Sequence, residues 1–194
     1  MIVSRVRAEA YHVSSNGNYL ERNVMDEPDD GAGYVVAGDA NVLRNNLSRS
    51  GFAGFDEHAF LVEAGAEGNK LIGNVVDWGA THGIEVYGDR TVLNRNRVNG
   101  SGDDGIIVAG SGNRILRNVS RRSDRYAFIV GGQNNVVRHN LASNWHDDSF
   151  AGFRLGGSGH KLINNIAVTC ENSGYVIDAT DVTESGNQQV CSIP

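Results

Sequence analysis

Seven asparagines, Asn23, Asn46, Asn74, Asn96, Asn118, Asn140 and Asn165, recur along the chain at intervals of 23, 28, 22, 22, 22 and 25 residues. Three residues before each stands an apolar side chain: Leu20, Leu43, Leu71, Leu93, Ile115, Val137 and Leu162. Five before stands Asn or a polar substitute: Asn18, Asn41, Asn69, Thr91, Asn113, Asn135 and His160. A sustained period of this length is the signature of a solenoid, in which each unit is too short to bury its own apolar face and must stack on the next.

A second motif precedes each asparagine from Asn46 on, its last copy standing ahead of Asn187: "GYVVAG" at Gly33, "AFLVEAG" at Ala59, "GIEVYG" at Gly83, "GIIVAG" at Gly105, "AFIVGG" at Ala127, "GFRLGG" at Gly152 and "GYVIDA" at Gly174. Apolar and outward residues alternate in each, the period-two pattern of a short strand. One coil therefore reads strand, Gly-rich turn, strand, Asn bend, short strand, variable loop. The 25 glycines and only two prolines suit many tight turns, and an inward Asn at a bend can bond the local backbone and stack on the next coil's Asn. A leucine-rich repeat fits the period but not the residues, since Gly and polar side chains occupy its upstream leucine positions, as in "AEGNKLIGN" from Ala66. The sequence predicts an all-β fold: a parallel β-helix of about eight coils, forming one domain over residues 1–194. Its asparagine columns are expected on one bend, and its hand is taken as right because parallel crossovers almost always are. From Asn18 to Asn187 the repeats resemble those of pectate-lyase-like right-handed β-helices.

The formal net charge is −6. It leaves no basic stripe to neutralise phosphates, which argues against nucleic-acid partners. No apolar run reaches membrane-spanning length, and "MIVSRVRAEA" lacks the apolar centre of a signal peptide. The chain is thus expected to be cytoplasmic if complete and extracellular if it is an excised or mature domain. Cys170 and Cys191 form neither a disulfide framework nor a zinc pattern. They fall at similar phases of adjacent coils, which leaves a disulfide and buried free thiols equally open.

In a solenoid, insertions in one column of loops mark the binding face. The longest here are Ser48 to His58 and Ala142 to Ala151. The residues just before each "G-φ-x-V" strand stack into a column, His58, His82, Asp104, Tyr126, rich in proton-transfer groups. Beside it the outward positions Val35, Leu61, Ile107, Ile129 and Val176 make an apolar stripe interrupted by Glu85 and Arg154. Outward aliphatics call for a cover: a loop, a substrate, or a second copy of the chain in a homo-oligomer. The aspartate pairs Asp29-Asp30, Asp103-Asp104 and Asp147-Asp148 offer oxygen ligands of the kind calcium takes. They lack the spacing of a calcium loop and read first as turn residues; no cofactor and no metal site is otherwise expected.

The stretch Gly54-Phe55-Asp56-Glu57-His58 resembles the Tyr-Gly-Phe-Asp-Pro-His motif of the mannuronan C5-epimerases, with Glu57 for the proline and Ala53 where that family has its catalytic tyrosine. "GDDGIIV" at Gly102 resembles the Asp-Asp segment of polygalacturonase-type glycosidases, but the His segment expected one coil later is absent. The resemblance implies a carbohydrate-active enzyme of the epimerase, lyase or glycosidase kind, acting on an oligo- or polysaccharide. For a uronate, His58 or His82 is the expected base and Asp56 or Asp104 its orienting carboxylate. Arg125 and Arg154 are expected to meet the substrate carboxylate, and Tyr126 to donate the proton in place of the missing tyrosine, with Tyr87 a neighbouring substitute. Glu85 joins the arginines as a groove contact. Two other readings stay open: a non-catalytic binding or oligomerisation module, and an intracellular enzyme for a small apolar substrate.

Overall fold

A computed structural model describes residues 2–4, 10–26, 32–49, 58–78, 81–143, 151–169 and 173–191. The motif residues Ala53 to Glu57, Asp56 among them, lie outside this set, as do Asp29, Asp30, Asp147, Asp148, Trp145 and Cys170. The described strands pair in parallel with the equivalent strands of neighbouring coils, in sheets of nine, eight and eight strands. An eight-stranded sheet makes about seven turns, close to the eight coils expected. No helix among the described residues is long and apolar enough to cross a membrane.

Within a coil the order follows the sequence pattern. Strand Tyr34–Val36 is followed by a turn, strand Val42–Arg44, the Asn46 bend and strand Leu47–Arg49. The interior is filled column by column. Leu43, Leu71, Leu93, Ile115, Val137 and Leu162 are fully buried. Aromatic rings stack at both ends of another column: Tyr11, Tyr34 and Phe60 with centroids 4.7 and 4.5 Å apart, and Phe128, Phe153 and Tyr175 at 4.7 and 5.1 Å.

The asparagines form two ladders, one at each end of the short strands of the second eight-stranded sheet, where one shared bend was expected. In the longer ladder each Oδ1 accepts from the preceding rung. Asn96 N–H and Nδ2, for example, donate to Asn118 Oδ1 at 2.9 and 3.0 Å. The same Nδ2 donates to the Leu71 carbonyl at 2.8 Å. The bend needs a left-handed residue just before each asparagine, filled by Arg22, Asn45, Gly73, Arg95, Arg117, His139, Asn164 and Gly186, all with φ between 50° and 65°. Non-glycine residues are disfavoured there by roughly 1–2 kcal/mol, so the ladder's buried hydrogen bonds must outweigh that strain. The shorter ladder ends on His160, whose Nδ1 accepts from Asn135 N–H at 3.3 Å, consistent with the structural role its position suggested. Cys191 is disulfide-bonded. Trp78 packs its ring across Gly100, where a Cβ would sit 2.7 Å from it, with Arg122 5.7 Å above.

Candidate functional site

In strand His82–Val86 of the first eight-stranded sheet, two consecutive residues, Gly83 and Ile84, face inward. At Gly83 an added Cβ would meet Val98 Cγ1 at 2.6 Å, inside the coil, and the next residue, Ile84, is fully buried. Strand alternation therefore slips by one at this point. The slip turns the residue before the glycine to the same outer side as the residue two after it. His82 and Glu85 share a face, and so do their equivalents in other coils.

The register confirms the expected rows. His58 pairs with His82, and Val35, Leu61, Glu85, Ile107, Ile129, Arg154 and Val176 run in a single line across the sheet. The imidazoles of His58 and His82 stack with centroids 5.5 Å apart and planes 15° off parallel. Asp104 continues the row, its Oδ1 accepting from Tyr126 N–H at 3.0 Å and its Oδ2 4.0 Å from His82 Nδ1. The column read from the sequence is thus contiguous from His58 to Tyr126. Val35, expected in the outward stripe, is buried, while Leu61, Ile107, Ile129 and Val176 are half-buried.

Glu85 differs most from expectation. It is only 5% exposed, and its Oε2 lies 2.6 Å from His58 Nδ1. The distance is that of a hydrogen bond, but neither atom makes one of in-line geometry. Burial works to raise the Glu85 carboxyl; the contacts from His58 and the Tyr87 hydroxyl, with the charges of both histidines, outweigh it and hold the group below the usual carboxylate range. Tyr87, half exposed, is in turn pushed up by its bond to that carboxylate. Asp104 goes the other way. Burial and neighbouring Asp103 raise it, against the Tyr126 N–H, Arg125 and His82.

The arginines are less free than the sequence suggested. Arg125 Nη1 reaches Asp103 Oδ2 at 3.1 Å and Asp104 Oδ2 at 4.0 Å, and Arg154 Nε sits 3.5 Å from Asp178. Both guanidiniums lie over the ring of Tyr126, at 5.7 and 5.5 Å from its centroid. Sequence reasoning missed the carboxylates Asp103 and Asp178 as their partners. Among the described residues, two sets of side chains could hold a metal ion: His58, His82 and Glu85, and His82, Asp103 and Asp104, each with ligand atoms within 4.8 Å of one another.

The fold matches solved structures. The A-module of the Azotobacter vinelandii mannuronan C-5 epimerase AlgE6 superposes with a TM-score of 0.65 at 14% identity, covering 92% of this chain and 65% of that one. A rhamnogalacturonan lyase gives 0.65 at 14% identity, over 92% and 64%. The chain thus spans just under two thirds of these two proteins, and at such identity the likeness is one of fold alone. No protein of curated function matches the sequence. Residues 58–190 match the family described as the right handed beta helix region, and the chain belongs to it.

Proposed function

We propose that this chain is a carbohydrate-active enzyme that moves the proton α to a uronate carboxylate, by epimerisation or β-elimination, in a groove along the outer face of the sheet carrying His58 and His82. One observation carries the reading: two imidazoles, each beside a buried carboxylate, lead directly to a tyrosine under two guanidiniums. His82 is the base for the carbon-bound proton, and Asp104 stabilises the imidazolium that results. His58, held by Glu85, sits one coil away as the alternative base. Asp56, first assigned the orienting role, lies outside the described residues; Glu85 takes it. Arg125 and Arg154 meet the substrate carboxylate, whose planar shape a guanidinium matches with two bonds. Tyr126 delivers a proton to the opposite face in epimerisation, or to the departing oxygen as the β C–O bond breaks in elimination. The names of the two solved structures that share the fold, a mannuronan C-5 epimerase and a rhamnogalacturonan lyase, support the substrate class.

The test is incubation with mannuronan and polygalacturonate in D2O. Deuterium at the α-carbon marks epimerisation, and ultraviolet absorption of an unsaturated uronate marks elimination. His82→Ala and Tyr126→Phe should each lower the rate by about 10²–10⁴-fold with the circular-dichroism spectrum unchanged. Absence of both signals across a panel of polyuronates refutes the proposal. A second reading has its own observation: the half-buried row Leu61, Ile107, Ile129 and Val176 is apolar on an outward face. A stable oligomer in sedimentation, dispersed by Ile107→Asp and without turnover, would favour a non-catalytic module.

A further inference from the structure

We infer that His58, His82 and Glu85 form a binding site for a divalent transition-metal ion, of which Zn2+ is the best match. Three buried ligand atoms converge there: His58 Nδ1, His82 Nδ1 and Glu85 Oε2. His58 Nδ1 and Glu85 Oε2 face each other in ion-pair contact without in-line hydrogen-bond geometry, and His82 Nδ1 makes no hydrogen bond, although buried polar atoms are normally satisfied. All three residues offer ligand atoms within 4.8 Å of one another, and the shortest separation is 2.6 Å. A tetrahedral ion with bonds of about 2.0–2.1 Å holds its ligands about 3.3 Å apart, between those bounds.

The donor set selects the metal. Imidazole nitrogens suit zinc, copper, nickel and cobalt, whereas calcium and magnesium take oxygen shells. Two histidines and one glutamate are also the ligands of an open zinc site, in which a fourth position faces solvent. Here the side chains of His58 and His82 are 23% and 19% exposed, while that of Glu85 is 6% exposed. Outer-shell support comes from the Tyr87 hydroxyl, which bonds to Glu85, whereas Asp104 Oδ2 lies 4.0 Å from the ligand atom His82 Nδ1 itself and marks the competing side of the site. The overlapping set His82, Asp103 and Asp104 is the weaker one. Its carboxylates are already engaged, Asp104 by the Tyr126 N–H and Asp103 by Arg125.

The inference stands on the geometry and not on the proposed enzymatic function. An ion bound by both imidazoles withdraws them from proton transfer, so metal-loaded and turnover-competent protein would be alternative states of one site. Calorimetric titration of the whole chain with Zn2+, and visible absorption with Co2+, read binding without reference to activity. One ion per chain at micromolar affinity, with the intense bands of tetrahedral cobalt, is the expected result. His58→Asn and Glu85→Gln should each weaken zinc binding by more than the roughly 10–100-fold lost with an outer-shell partner, and Asp104→Asn by less than Glu85→Gln. Circular dichroism confirms the fold of each variant; should Glu85→Gln fail to fold, His58→Asn carries the same comparison. No saturable binding overturns the inference. So does unchanged affinity in His58→Asn, or a larger loss in Asp104→Asn than in the first two variants, which would place the ion on the aspartate side.

Discussion

Asparagine 118 is the middle of the longer ladder, and its replacement by alanine measures what holds the coils together. The side chain is fully buried and makes four hydrogen bonds. Its Oδ1 accepts from Asn96 N–H and Nδ2 at 2.9 and 3.0 Å, and its Nδ2 donates to the Leu93 carbonyl and Asn140 Oδ1 at 3.1 and 3.0 Å. Alanine removes all four. Asn96 Nδ2 keeps the Leu71 carbonyl, and Asn140 Oδ1 keeps the Asn118 N–H. The Asn96 N–H is left buried without an acceptor, at about 1–3 kcal/mol, and the three other bonds are each worth about 0.5–1.5 kcal/mol net. The total is roughly 2.5–7.5 kcal/mol, a large part of the 5–15 kcal/mol of a typical domain. Asn187 supplies the control at the ladder's end. It is half-buried and accepts from Asn165 N–H and Nδ2 at 3.0 and 3.1 Å. Water can take its place there, so Asn187→Ala should cost about 1–2 kcal/mol. Guanidinium unfolding followed by far-ultraviolet circular dichroism gives both values, compared at equal slope. Asn118→Ala within about 1 kcal/mol of Asn187→Ala would refute the reasoning, because the ladder would then be no stronger inside than at its end.

Phe153, stacked between Phe128 and Tyr175, should cost about 3–5 kcal/mol on replacement by alanine, read in the same assay; a loss near 1 kcal/mol would mean the ring column is dispensable. Gly83→Ala puts a Cβ 2.5 Å from the Gly105 carbonyl and 2.6 Å from Val98 Cγ1. It should destabilise by about 1–3 kcal/mol, and an unaltered melting temperature would show that the strand start can move aside. Arg125→Ala should change stability by less than about 1 kcal/mol, since its pair with Asp103 is partly exposed to solvent. It should nevertheless raise KM for a polyuronate; unchanged KM would remove Arg125 from carboxylate recognition.

The fold was legible because a parallel β-helix writes each interior column into the sequence at nearly constant intervals. Leu20 to Leu162 and Asn23 to Asn165 could be aligned by counting, and the pairing Leu43↔Leu71 is what that count requires. The two ladders were harder to separate. Their asparagines are five residues apart, and only the three-residue strand between them, such as Val92–Asn94, shows that a bend stands at each end. The column His58, His82, Asp104 and Tyr126 was equally readable, because it lies at one fixed step before the second motif.

What the repeat does not encode is contact along diagonals. Glu85 aligns with Leu61 in the ladder, and its position alone marks an exposed charge on an apolar row. Its burial follows from the slip at Gly83, where two successive residues face inward and bring Glu85 onto the side of His58. That slip leaves no trace in hydropathy, since glycine there scores like any turn glycine. Only the space at its Cβ, already filled by Val98, marks it as a core position. Acidic residues on this face answer neighbours one coil away. Glu85 meets His58, Asp103 meets Arg125, and Asp178 meets Arg154. A site on a solenoid is therefore assembled between rungs. The residue types were visible in single coils, but their pairing depended on how far each variable loop advances the next strand.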